Sequence, residues 1–76
     1  MIYAISEENK KRIENNFMYH APKPGQAERY ESIRAFAKDF AEHLMTSCPA
    51  SRELSLALTH LEEAVMQANA AIARNE

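Results

Sequence analysis

The sequence predicts an all-α fold: a short N-terminal helix, then an antiparallel two-helix hairpin, assembled as a homo-oligomer. Three observations predict it. Apolar residues recur at helical spacing through two long segments. The breaks between helices carry proline, at Pro22-Lys-Pro-Gly25 and at Ser47-Cys-Pro-Ala-Ser51. Both long segments are apolar on more than one face, and a hairpin covers only one stripe of each.

Ser6 followed by Glu7 and Glu8 reads as an N-cap with acid in the first turn, where the helix dipole favours negative charge. A helix over roughly 6–16 follows, weakly amphipathic through Ile5, Ile13 and Phe17. Pro22, Pro24 and Gly25 then interrupt it, because proline lacks a donor and restrains the residue before it. The result is a stiff linker. From about Gln26 to Thr46 the period returns to 3.6, with Tyr30, Ile33, Ala37, Phe40, Ala41 and Leu44 in one stripe. At the second break, Pro49 suits a first-turn position and Ser51 or Cys48 a cap. The last helix runs from about Ala50 to Arg74, with a stripe of Leu54, Ala57, Leu58, Leu61, Val65, Ala68 and Ile72.

A short break between helices of similar length implies an antiparallel pair. Folding about Pro49 sets Leu44 level with Leu54, Phe40 with Leu58, Ile33 with Val65 and Tyr30 with Ala68. Large side chains on one helix thus meet smaller ones on the other, as close packing requires. Phe36 falls off the first stripe, and Leu56, Met66, Ala70 and Ala73 fall off the second. The short first helix covers only part of this surplus, so a homo-oligomer is expected.

The 76 residues suffice for one domain, 1–76, with a modest core. One cysteine, Cys48, allows no internal disulfide and suits a reducing compartment. The opening Met1-Ile-Tyr-Ala-Ile5 is too short for a secretory core, and no apolar stretch is long enough for a bilayer. The net charge of −2 argues against a binder of DNA or RNA polymers, which must neutralise many phosphates. A compact ligand with two or three phosphates needs only a few local cations.

Most candidate chemistry is weak. His20, His43, His60 and Cys48 lack the clustered spacing of a zinc site, so no metal is expected. Cys48 has no histidine beside it and reads as structural. Glu62-Glu63 and Glu7-Glu8 point apart on a helix, so neither pair shares a proton. One glycine leaves no phosphate loop. No catalytic machinery is visible, and the protein is expected not to be an enzyme. Lys10-Lys11-Arg12 is either a solvated face or added positive potential beside an anion site.

The informative run is Phe17-Met-Tyr-His-Ala-Pro-Lys-Pro-Gly-Gln-Ala-Glu-Arg-Tyr-Glu-Ser-Ile-Arg34. It holds the ring of Tyr19 in a rigid segment and the guanidinium of Arg34 two turns into the next helix. A ring can stack on a base, and a guanidinium can grip a phosphate with two parallel donors. The plainer alternatives are Tyr19 as a core anchor and Arg34 paired with Glu31 or Asp39.

The segment Leu58-Thr-His-Leu-Glu-Glu-Ala-Val-Met-Gln-Ala-Asn-Ala-Ala-Ile-Ala-Arg74 closes the hairpin. It resembles the C-terminal helix of phage-encoded anti-CBASS cyclic-oligonucleotide sponges, whose hairpin domain recurs in sponges of other immune signals. The tyrosine ahead of the first long helix and the cation fifteen positions later match that family's cyclic-dinucleotide pocket. The resemblance spans about residues 17–75. It implies a cytoplasmic protein of the infected bacterial host, a hexamer that binds second messengers without cleaving them and without a cofactor. Tyr19 would stack on a base, Arg34 would meet a phosphate, and His20 would stand beside them in a pocket shared between protomers. Arg74 would grip cyclic trinucleotides at a separate threefold junction. The family commonly has lysine where this chain has Arg34, and Gly-Tyr-Arg where it has Met18-Tyr19-His20. A small helical adaptor that docks a protein partner on its apolar stripe is the alternative reading.

Overall fold

The computed structural model describes residues 2–76, and its described elements are three helices. They are α1 (Glu7–Asn16), α2 (Gln26–Ser47) and α3 (Arg52–Asn75), with no strand among the described residues. The Ser6 side chain caps α1 by accepting from the Asn9 N–H at 3.1 Å. Its last turn closes with the Phe17 N–H donating to the Ile13 carbonyl at 3.0 Å.

The linker ends in a tight turn. The Gln26 N–H donates to the Lys23 carbonyl at 3.1 Å, with Gly25 at φ 83° and ψ −12°. These are the values of the third position of a type II turn, where proline suits the second and glycine the third. Gly25 is therefore required by backbone conformation, although a Cβ there would meet open space.

The second break differs from the expectation for Pro49. Ser51, not Cys48, caps α3, accepting from the Leu54 N–H at 3.1 Å, and the helix begins at Arg52. Pro49 thus lies ahead of the cap instead of in the first turn. Its effect falls backwards: Cys48 is extended, at φ −124° and ψ 142°, which ends α2.

The α2 and α3 stripes meet as a hairpin. Tyr30, Ile33, Ala37, Ala41 and Leu44 are half-buried on α2, as are Leu54, Leu58, Leu61, Val65 and Ile72 on α3. Ala37, Leu61 and Val65 border concavities on both flanks of the pair and so mark its seam. Phe40 departs from the expected stripe, being 52% exposed. It lies beside Phe36, 75% exposed, in a groove of about 450 Å³ floored by Ala64 and Ala68. Both rings stand on the flank of the pair, where the short side chains of Ala64 and Ala68 do not reach far enough to cover them. The other flank carries a groove of about 410 Å³ between Arg34, Ala41, Leu58 and Val65.

No apolar side chain among the described residues is fully buried. The chain forms a plate of 48 × 38 × 13 Å with a radius of gyration of 17.0 Å, against about 11 Å for a globule of this length. No helix among the described residues is long and apolar enough to cross a membrane.

Candidate functional site

The segment between α1 and α2 carries Tyr19 and His20, and it folds over the C-terminal end of α3. His20 closes the exit from α1: its Nε2 lies 2.8 Å from the Asn15 carbonyl oxygen. A carbonyl can only accept, so that nitrogen carries the proton, and one of the open carbonyls at the helix end is satisfied. Asn15 in turn donates through Nδ2 to the Arg74 carbonyl at 3.1 Å, and Arg74 reaches back with Nη2 to the Asn16 carbonyl at 3.5 Å. The end of α1 is thereby fastened to the last turn of α3.

These ties create an open concavity of about 440 Å³. Tyr19, His20, Tyr30, Arg34, Asn69 and Arg74 border it, and Ala70 and Ala73 form part of its wall. Small residues on α3 leave the room that larger ones would fill. Tyr19 presents an 82% exposed ring. Arg34 makes neither ion pair nor hydrogen bond among the described residues, so neither Glu31 nor Asp39 claims it. Among the described residues no carboxylate lines the concavity. Two guanidinium groups therefore set a positive local field in a chain of net charge −2.

All four sequence-derived site residues thus border one concavity within a single chain, including Arg74. Arg74 also borders a second concavity, of about 270 Å³, among the amides of Asn15, Asn16, Gln67 and Asn75. Tyr30 and Asn69 are additions that the sequence did not single out. The Oδ1 of Asn69 is buried without a hydrogen-bond partner. Beside a concavity, such an acceptor is a group that a ligand N–H can satisfy.

The remaining candidates lie elsewhere. Cys48 is exposed at the tip of the hairpin. His60 sits 3.8 Å from Glu63 on the surface of α3. Among the described residues no three His, Cys, Asp or Glu side chains cluster as metal ligands do. The strongest electrostatic contact is at the start of α2, where Arg29 forms a two-point ion pair with Glu76, with Nη1–Oε2 at 2.8 Å. The hydrogen bonds from Arg29 and Gln26 lower the Glu76 carboxyl to about 2. The same contact raises Arg29 above its usual value.

No curated protein and no solved structure matches the chain. A family model does: Acb2/Tad1, hairpin domain, over residues 9–73. The match takes in the Tyr19 segment, all of α2 and nearly all of α3, and the chain belongs to this family, that of the phage anti-CBASS cyclic-nucleotide sponges.

Proposed function

We propose that the protein binds cyclic di- and trinucleotide second messengers, holds them intact, and so withholds them from the effectors of CBASS defence. One observation carries this reading: an exposed tyrosine ring and two guanidinium groups, Arg34 and Arg74, border one concavity that no carboxylate lines. Tyr19 stacks on a base, an interaction worth about 1–3 kcal/mol. Arg34 takes a phosphate through two parallel donors. His20 spends its Nε2 on the Asn15 carbonyl, so it orients the segment and keeps Nδ1 as an acceptor at the edge of the concavity. Arg74, standing between two concavities, serves a cyclic trinucleotide from the amide-lined side. Stacking and ion pairing need neither metal nor cofactor. The place of action is the cytoplasm of the infected host.

The binding unit is an assembly of several copies, a hexamer in this reading. The chain exposes 6510 Å², whereas a compact protein of its mass exposes about 4,700 Å². The excess, about 1,800 Å², matches roughly two interfaces of standard size per chain. Two interfaces per chain favour a closed particle over a simple dimer. The grooves at Phe36–Phe40 and Ala41–Leu58 offer the apolar surface for it.

Calorimetry with a panel of cyclic di- and trinucleotides, followed by recovery of the ligand after heat denaturation, tests the proposal. Tight binding with intact ligand released is the expected result. Altered ligand would mean an enzyme, and no binding to any member would leave the adaptor reading.

A further inference from the structure

The segment that carries Tyr19 is fastened to α3 at both ends. At its start the ties are those of His20, Asn15 and Arg74. At its end they converge on Gln26 and Glu76. Gln26 is 3% exposed and is the one residue among those described that is fully buried. Its Oε1 accepts from the Lys23 N–H at 2.9 Å, and its Nε2 donates to the Glu76 carboxylate at 3.1 Å. Arg29 donates from both terminal guanidinium nitrogens, Nη1 and Nη2, to the same carboxylate, and the Lys23 Nζ donates to the Glu76 carbonyl.

A partly exposed ion pair alone contributes little. Gln26 changes the balance. A buried amide is tolerated only when both of its ends are partnered. Glu76 supplies the partner for one end, and the linker backbone at Lys23 supplies the other. Without the carboxylate, Nε2 is orphaned out of water, and the amide gains by turning away towards solvent. The Lys23 N–H then loses its acceptor, and the turn at Pro24-Gly25 loses its anchor on α3.

We infer that Gln26 and Glu76 are positioning residues of the ligand site: the clasp they form holds the Tyr19 segment against the end of α3, so that ring and cations face one another before any ligand arrives. The inference rests on the ligand reading above and extends it to residues that touch no ligand. Apparent affinity falls in proportion to the fraction of chains whose segment is in the competent position.

The test uses the full chain in three forms, unchanged, Glu76→Ala and Glu76→Gln. One readout is amide hydrogen exchange at Lys23 and Gln26, the hydrogen-bonded N–H groups that end the Tyr19 segment, without ligand; the other is calorimetry with cyclic di-AMP and cyclic GMP–AMP. Glu76→Ala is expected to speed exchange in that segment while the α2–α3 seam stays protected. Affinity should fall about fivefold, as it does when the competent fraction drops to about one in five. Glu76→Gln, which keeps an acceptor for Gln26 but loses the ion pair, should give an intermediate loss in both readouts. A segment equally protected in Glu76→Ala overturns the inference, as does a loosened segment with unchanged affinity. If the unchanged chain binds neither probe, the ligand reading falls and the positioning role falls with it. The exchange data alone then still decide whether the clasp holds the segment.

Discussion

Arg34 has a charge and no partner for it among the described residues. A guanidinium held at a concavity wall without a carboxylate is a cation reserved for something outside the chain. Arg34→Ala should therefore weaken cyclic-dinucleotide binding by about 1.5–3 kcal/mol, the range for hydrogen bonds to charged groups. Tyr19→Ala should cost about 1–3 kcal/mol, the worth of one stacked base. Calorimetry reads both, and unchanged affinity in either variant would remove that residue from the site. The ring and the cation were legible in the sequence because each stands out chemically against its neighbours. Tyr30 and Asn69 were not. Tyr30 sits on the apolar stripe and reads as core, but it lies towards the open end of the hairpin, where the stripe runs out onto the concavity. Asn69 looks like any polar residue on an alanine-rich helix until the fold buries its oxygen.

Helix periodicity and capping made the elements readable. The stripes of α2 and α3 follow from spacing alone, and Ser6 caps α1 through chemistry local to four residues. At the hairpin tip two caps were open to choice, and hydrogen bonding decided for Ser51. Ser51→Ala should destabilise the protein by about 1 kcal/mol, within the range of roughly 0.5–2 kcal/mol for N-cap losses. Urea unfolding at fixed protein concentration measures it. An unchanged midpoint would show that packing, not the cap, sets where α3 starts. The ties at the open end were beyond the sequence. Gln26 and Glu76 are 50 positions apart, and nothing local announces that they meet. The register that sets Tyr30 beside Ala68 does carry Arg74 level with Pro24, so the nearness of Arg74 to the linker was implicit in the pairing. It was masked because a residue near a helix end reads as frayed.

The whole molecule is a plate with half-buried residues along one seam and apolar grooves on either flank. Its exposed area and radius of gyration exceed those of a compact globule of its mass and length. Sedimentation should show a particle of several chains at micromolar concentration. Phe36→Glu with Phe40→Glu should reduce it to smaller species, since a charge in each groove copy cannot be desolvated without a partner. A wild-type chain that sediments as a monomer would sink the shared-pocket reading. The surplus stripe was visible in the sequence as apolar residues beyond what a hairpin needs, but the shape of the two grooves is a property of surfaces that periodicity does not encode.

Arg34 borders two places at once, the Tyr19 concavity and the groove beside Ala41 and Leu58. Whatever occupies the groove sets the dielectric around that guanidinium, and whatever occupies the concavity sets its charge balance. In the proposed assembly the two occupancies are thermodynamically linked, and linkage is reciprocal: any factor by which a neighbouring chain changes ligand affinity is the factor by which the ligand changes affinity for that chain. Saturation by messenger would then raise the melting temperature and make it less sensitive to dilution.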